Sequence, residues 1–319
     1  MRIRLHRKRR ITAILILAAI ICCLIISIYV QNNKEQKPQK LPTVEGQMQI
    51  TILNSEGKEE KIYLEQFLIG VLSAEMPVSF ESEALKAQAI AARTYVLNYT
   101  PPYGTAKHGN AVVCSDPACC QAYNNDQQLR TKWGDNYQEN IAKITAAVAD
   151  TSGMVLTYQE QLALTPYCST CGGHTESAGE CWGEDIAYLQ SVPCFWDDAA
   201  PRYDGILTMS TTEAATALGV DKADLSKMSV TAMSDSGRTE QVKVAKKSFT
   251  GSEIRKLLGL NSTEFTWLIN KDEIVFFTRG FGHGVGLCQY GANGMAKAGY
   301  TAEQILNWYY GGTTLQKLY

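Results

Sequence analysis

The longest apolar pattern in the chain lies at its start, where Ile11 to Val30 runs for twenty residues without a charge. At about 1.5 Å per helical residue that run spans about 30 Å, the thickness of a bilayer's hydrocarbon core. Arg2, Arg4, Arg7, Lys8, Arg9 and Arg10 precede it, and by the positive-inside rule they place the N-terminus on the cytoplasmic side. The run is long for a signal peptide and no convincing small-x-small cleavage site follows it. The expectation is therefore an uncleaved single-pass anchor over 11–30, behind a basic cytoplasmic segment, 1–10. The stretch 31–47 is polar, with two prolines, and reads as a linker.

Beyond the linker the period of the pattern shortens and then lengthens. Gln49–Leu53 and Lys61–Leu64 predict short strands around the turn Asn54-Ser55-Glu56-Gly57. Leu64, Phe67, Leu68, Val71 and Leu72 then recur at helical spacing, and Pro77 disfavours helix at Met76, so Glu75 falls at a helix end. A second, Ala-rich helix is expected from Glu83 to Tyr95, capped by Ser79 or Ser82, with Leu85, Ala89, Ala92 and Val96 as its buried stripe. Ile141 to Val148 continues as helix up to Thr151-Ser152-Gly153, and Met154 to Tyr158 reads as a strand. The stretch 201–260 looks like an inserted small α/β module, with helices at Thr212–Leu218 and Ser252–Leu258 and strands at Met228–Met233 and Gln241–Ala245. A hairpin of Thr266–Ile269 with Glu273–Thr278 follows, then a helix from Gln289 to Ala298 and a last helix opened by the capping box Thr301-Ala302-Glu303-Gln304, expected to pack near Glu75. The sum is an α+β chain: a membrane anchor, then a mixed helix/strand domain over 48–319.

Charge changes this picture more than composition does. The chain is 45% apolar and 19% charged, ordinary values for a globular protein. Its net charge is −2, but the six basic residues near the start leave 24 basic against 32 acidic residues in the remainder. Such a domain lacks the basic footprint of a nucleic-acid binder. Any anionic polymer it holds would be gripped by shape, aromatic faces and hydrogen bonds rather than by net charge.

Candidate chemistry starts at Glu75. A helix C-terminus carries partial negative charge, and burial against Met76 and Phe80 would also disfavour an ionised carboxylate. Both effects raise the pKa, as a general acid working near neutral pH requires. The bland alternative is a solvated helix-end glutamate. Cys114, Cys119 and Cys120 fall in a loop-like stretch from His108 to Tyr123, where a disulfide from Cys114 to either neighbour is one option and free thiols another. Cys168-x2-Cys171-x2-His174-x6-Cys181 offers three thiolates and an imidazole, the ligand number and softness of a closed structural zinc site; a disulfide or free thiols are the alternatives. Gly280-Phe281-Gly282-His283-Gly284-Val285-Gly286 matches neither a P-loop nor the dinucleotide fingerprint and suits a backbone passing close to another chain or a sugar. His283 within it is either a hydrogen-bonded structural histidine or a substrate contact. Trp182, Phe195 and Trp196 could stack on sugar rings or fill a core. With no HExxH in the chain, a zinc hydrolase is disfavoured.

The run Leu64-Glu65-x-Phe67-Leu68-x-Gly70-Val71-Leu72-x-Ala74-Glu75-Met76-Pro77 is followed by Glu83-Ala84-Leu85-Lys86-Ala87-Gln88-Ala89-Ile90-Ala91-Ala92-Arg93-Thr94-Tyr95. Together with Cys120-Gln121-Ala122-Tyr123, Thr151-Ser152-Gly153 and the Gly-rich block through Leu287-Cys288-Gln289-Tyr290-Gly291-Ala292, it resembles the stage II sporulation protein D family and the related amidase enhancers. The blocks occur in order across most of 50–315. The resemblance implies a membrane-anchored, extracytoplasmic lytic transglycosylase acting on peptidoglycan strands, thinning septal wall during forespore engulfment, in company with an amidase and an integral membrane protein. It makes Glu75 the catalytic residue and Gln88, Arg93, Tyr95, Ser169, His283 and Gln289 the expected substrate contacts. A lone glutamate suits that chemistry, because a transglycosylase activates no water and needs no second carboxylate. Some members of the family bind zinc beside the groove. Their common motif at 168–173 is His-Ser-Thr-Ser-Gly-Gly, however, and here Cys168 and Cys171 depart from it, so the ligand set is not copied residue for residue. The same resemblance leaves open a non-catalytic reading, an amidase enhancer that binds glycan.

Overall fold

The computed structural model describes residues 48–319. The expected basic segment, anchor and linker lie outside these residues. Among the described residues no helix is long and apolar enough to cross a membrane.

Strands β1 (Gln49–Leu53) and β2 (Glu59–Tyr63) form an antiparallel hairpin that leads directly into helix α1 (Leu64–Glu75). The apolar spacing places Phe67, Leu68, Val71 and Leu72 fully inside. The helix stops where expected: Met76 turns extended, at φ −120° and ψ 144°, ahead of Pro77. Helix α2 (Ser82–Leu97) is longer than its periodicity suggests and has no side-chain cap; neither Ser79 nor Ser82 is its N-cap. The N-cap residue, Glu81, instead donates its backbone N–H to Asn293 Oδ1 at 2.9 Å.

The Ala-rich α2 is buried on both faces. Leu85, Ala89, Ala92 and Val96 enter one core with α1; Ala84, Ala87, Ile90 and Ala91 enter a second core. A helix that is apolar on all sides belongs in the middle of a domain, and small side chains let its neighbours approach closely. Strand β3 (Val113–Cys114) runs parallel to β1. Helices α3 (Asp126–Trp133) and α4 (Tyr137–Asp150) follow, and α4 lays Tyr137, Ile141, Ile144 and Val148 against the first core. Strand β4 (Met154–Tyr158) pairs with β5 (Gln161–Leu162), and β6 (Tyr167–Cys168) then leads to the short helix α5 (Ala178–Trp182).

The next part of the chain has a core of its own. It comprises β7 (Asp204–Ser210), α6 (Thr211–Leu218), β8 (Met228–Met233), β9 (Thr239–Val244), β10 (Lys247–Thr250), α7 (Gly251–Leu258), β11 (Glu264–Ile269) and β12 (Glu273–Arg279). Two three-stranded sheets, ordered β10-β9-β8 and β11-β12-β7, enclose Leu218, Val242, Val244, Ile254 and Phe276 with the two helices. Capping boxes at Ser210/Glu213 and Thr250/Glu253 start those helices. Because β7 pairs along its whole length with β12, from Asp204↔Arg279 to Ser210↔Glu273, the hairpin expected after the module is part of the same body.

The chain then returns to the first half. Strand β13 (Leu287–Cys288) pairs parallel with β6. Helices α8 (Gln289–Lys297) and α9 (Ala302–Tyr309, opened by the expected Thr301/Gln304 capping box) pack on α2, and β14 (Thr314–Lys317) joins β4. The last helix thus packs on α2, with Ile305, Leu306 and Tyr309 in the second core.

Candidate active site

Glu75 projects from the end of α1 into a groove of about 690 Å³. One wall is the 117–121 loop with Tyr95 of α2; the other is β6, Ser169 and the Gly-rich segment 281–283. Two donors reach the same carboxyl oxygen: the Ala122 backbone N–H at 2.7 Å and the Tyr167 hydroxyl at 3.1 Å from Oε1. The Gln289 amide is a further partner. Burial nevertheless dominates and raises the Glu75 pKa above its ordinary value of 4.5, while the bonds from Ala122, Tyr167 and Gln289 pull it down. Burial thus favours the protonated carboxyl, while the same donors favour the carboxylate. Among the described residues lining the groove, Glu75 is the one carboxyl.

Local sequence explains why these groups meet. Gly70 lets the 121–124 segment lie against α1, since a Cβ there would come 2.3 Å from a Tyr123 ring carbon. That close approach delivers the Ala122 N–H to Glu75. On the other side Gly286 has φ +75°, and its Cβ would fall 2.1 Å from the Pro166 carbonyl oxygen. The Gly-rich turn can therefore press against the strand that carries Tyr167.

The structure brings together Glu75, Tyr95, Ser169, His283 and Gln289, all on this groove. His283 Nδ1 accepts from the Val285 backbone N–H at 3.0 Å, which leaves the neutral ring's proton on Nε2. Burial, then the Arg255 and Arg238 charges, push its pKa down to about 4, so it is a neutral hydrogen-bonding group and no general acid near neutral pH. Its ring lies 5.4 Å from that of Trp182, which also lines the groove. Phe195 and Trp196 do not: Trp196 packs edge-on with Phe195, Tyr300 and Trp308 away from the groove.

Two expected substrate contacts are corrected by the structure. Arg93 is fully buried and clasps Glu65 in a bidentate pair, Nε–Oε1 2.8 Å and Nη2–Oε2 2.6 Å, with further bonds to the Met154 and Val148 carbonyls. It ties α2 to α1 and β4 and touches no groove. Gln88 is also fully buried and reaches the groove only through Gln289, whose amide lies 3.5 Å from Gln88 Oε1.

The expected metal set, Cys168, Cys171, His174 and Cys181, is likewise not assembled. His174 is exposed, Cys181 Sγ faces the His283 carbonyl at 4.0 Å, and Cys168 faces the groove. The turn at Gly172-Gly173 sends these side chains in different directions. The structure makes two other clusters whose ligand atoms lie within 4.8 Å of one another: His108, Cys114, Cys119 and Cys120 at the groove rim, and Cys171, Cys194, Asp197 and Cys288 in the interior. At the rim, His108 Nε2 is 3.4 Å from Cys120 Sγ and 3.6 Å from Cys119 Sγ. The signal for the rim set was a histidine six residues before Cys114 in a loop already dense in cysteine. The interior set had no local signal, since it joins residues over a hundred apart in sequence. Tyr167 was also missed, because nothing local ties it to Glu75, 92 positions earlier.

The class of protein is then an α+β body with a small second core and a groove that holds one buried carboxyl at a helix end. The chain belongs to the stage II sporulation protein D family. The family model described as "Stage II sporulation protein" matches residues 54–158. Stage II sporulation protein D of Bacillus subtilis (strain 168) is 39% identical over 259 residues, covering 81% of this chain and 76% of that protein, and its counterpart from Bacillus amyloliquefaciens is 39% identical over a similar span. The chain is also 31% identical to the amidase enhancer of B. subtilis (strain 168), covering 78% of this chain and 40% of that protein.

Proposed function

We propose that the protein is a membrane-anchored lytic transglycosylase that cleaves peptidoglycan glycan strands in wall remodelling during sporulation. The observation that carries this reading is Glu75, a buried carboxyl whose pKa burial raises and the one carboxyl among the described residues lining the groove. Hydrolysis by the usual routes needs a second carboxylate to activate water or to attack. A transglycosylase does not, because the muramic acid residue supplies its own nucleophile. Glu75 gives its proton to the glycosidic oxygen as the bond from that oxygen to C1 of N-acetylmuramic acid breaks. The Glu75 carboxylate, steadied by the Ala122 N–H and the Tyr167 hydroxyl, then takes the proton of the 6-hydroxyl as O6 bonds to C1. The products are a 1,6-anhydro end and a free N-acetylglucosamine hydroxyl, and Glu75 is again protonated. Placing the 6-hydroxyl beside C1 makes the closure intramolecular, a gain of proximity rather than of added chemistry. Trp182 and Tyr95 offer faces to sugar rings, and Ser169, His283 and Gln289 offer hydrogen bonds.

The rim cluster fits a zinc ion, with soft ligands from His108, Cys114 and Cys120 and with Cys119 beside them. A cation there would fix the 108–120 loop against the groove, and the thiol protons it displaces would leave to solvent. The uncharged run 11–30 supports an anchor that leaves this domain outside the membrane, at the septum of a spore-forming cell. The family supports an amidase and an integral membrane protein as companions.

Likeness to an amidase enhancer favours one second reading, a non-catalytic protein that holds glycan and stimulates an amidase. The discriminating experiment is mass spectrometry of the ends released from glycan strands lacking stem peptides, for the wild type and Glu75→Gln. Anhydro ends from the wild type alone are expected. Reducing ends would mean a hydrolase. No product from folded protein, with an added amidase stimulated, would replace the enzyme by the enhancer.

A further inference from the structure

Behind the groove wall, Cys171, Cys194, Asp197 and Cys288 converge from three distant parts of the chain, all buried. Asp197 is 1% exposed, and among the described residues no cation pairs with its carboxylate. Its Oδ2 accepts from the Gly172 N–H at 2.8 Å and lies 3.2 Å from Cys171 Sγ and 3.5 Å from Cys288 Sγ. Its Oδ1 is buried with no hydrogen-bond partner. A buried carboxylate in this state is costly unless a positive charge compensates it. Three sulfurs surround it instead.

Polar groups also face the sulfurs. Cys288 Sγ receives two backbone N–H groups, from Cys171 at 3.3 Å and Gly291 at 3.4 Å. The Tyr309 hydroxyl lies 3.2 Å from Cys194 Sγ. Position 291 is a glycine where any Cβ would lie 2.4 Å from Cys194 Sγ and 3.2 Å from Cys288 Sγ, so the backbone makes room for the cluster. The spacing suits a metal: a tetrahedron with Zn–S arms of about 2.3 Å has edges of about 3.8 Å, and here the four ligand atoms lie within 4.8 Å of one another. A disulfide between any two of the cysteines would leave the third thiol and the uncompensated Asp197 behind.

We propose that Cys171, Cys194, Cys288 and Asp197 form a closed, structural site for a divalent soft cation, zinc in chemical class, separate from the rim cluster. All four positions are filled by protein, so the ion would carry no reacting water. Binding releases the thiol protons to solvent and replaces them with one dication. The site clamps the groove wall. Cys288 directly precedes Gln289, Cys171 lies two residues after Ser169, and Tyr309 brings in α9.

The test uses the full chain carrying His108→Ala and Cys120→Ser, which dismantles the rim cluster, purified under reducing conditions and loaded with cobalt(II). Retention of about one ion per chain, with a sulfur-to-cobalt charge-transfer band and tetrahedral visible bands, is expected. Adding Cys194→Ser should remove both the ion and the band, and zinc should compete the cobalt away. Because that variant could misfold, the protein without it is also mapped: alkylation of the non-reduced chain should find Cys171, Cys194 and Cys288 unpaired and protected until a chelator is added. A folded, reduced protein that takes up no cobalt overturns the site, and so does a disulfide among these three cysteines.

Discussion

At Glu75 a single side chain has to serve two protonation states, and its surroundings decide how. Glu75→Gln keeps the shape and removes the proton, so anhydro-end formation should fall by about 10²–10⁴-fold, as read by mass spectrometry. The same variant carries a stability signature. Burial raises the folded-state pKa above 4.5, so between 4.5 and the raised value the folded protein binds more protons than the unfolded chain. The carboxyl's contribution to stability is then fullest at low pH and falls as pH rises through that interval. Glu75→Gln should therefore melt higher than wild type at neutral pH and gain nothing in acid; an equal gain at both would refute the buried-acid reading. Tyr167→Phe removes a bond that favours the carboxylate. The alkaline limb of the pH–rate profile should move to higher pH, while an unshifted limb would leave the hydroxyl no electrostatic role. The place of Glu75 at a helix end was legible because Pro77 fixes where that helix stops, and its expected role came from the resemblance of the motif around it. Tyr167 was not legible, because side-chain partnership between distant strands leaves no local trace.

At the level of elements, the packing of α2 depends on one ion pair. Arg93 and Glu65 are both fully buried, and Gly153 and Tyr319 add donors to the same carboxylate. Breaking such a pair from one side strands a charge, so Arg93→Leu should lower unfolding stability by about 3–5 kcal/mol, read from the urea midpoint. Glu65→Leu combined with it should recover much of that loss. If Arg93→Leu left the midpoint unchanged and weakened glycan binding, the expected role as a substrate contact would return. An arginine on an Ala-rich helix looks like a ligand-binding group when only the helix is visible; its partner is 28 residues earlier, on another helix. Periodicity did identify α1 and one of the two buried faces of α2, and a capping box marked the start of α9, because each of these signals lies within a few residues of chain. It did not reveal that 204–279 is one folded body, since the pairing of β7 with β12 crosses seventy residues and depends on register rather than on local pattern.

That body sets the last prediction, which concerns the whole molecule. Among the described residues lining the groove, none comes from 204–279. The ends of the segment meet: Gly280 N–H donates to the Tyr203 carbonyl at 2.7 Å, so a short glycine turn can replace everything between them. The module nonetheless acts on the groove from behind. Arg238 bonds the Cys171 and His174 carbonyls and sits 3.9 Å from Glu176, whose carboxylate also accepts from Ser234 and Ser236. Burial and the charges of Arg255 and Arg238 hold His283 near a pKa of about 4. With the module removed, both guanidinium groups go and the imidazole gains solvent, so the His283 pKa should climb back toward its ordinary 6.5, followed by NMR titration. The depressed pKa means that folding disfavours the protonated ring. The intact protein should therefore lose stability as pH falls below about 6.5 toward that folded value, and the truncated one should lose less. Anhydro ends should still form, since Glu75, Tyr167 and Gln289 all remain, but binding should weaken near neutral pH as His283 becomes partly charged. A folded truncation with an unchanged His283 titration would mean that burial by the Gly-rich turn alone sets that residue, and that the module's place lies with a partner rather than with the groove.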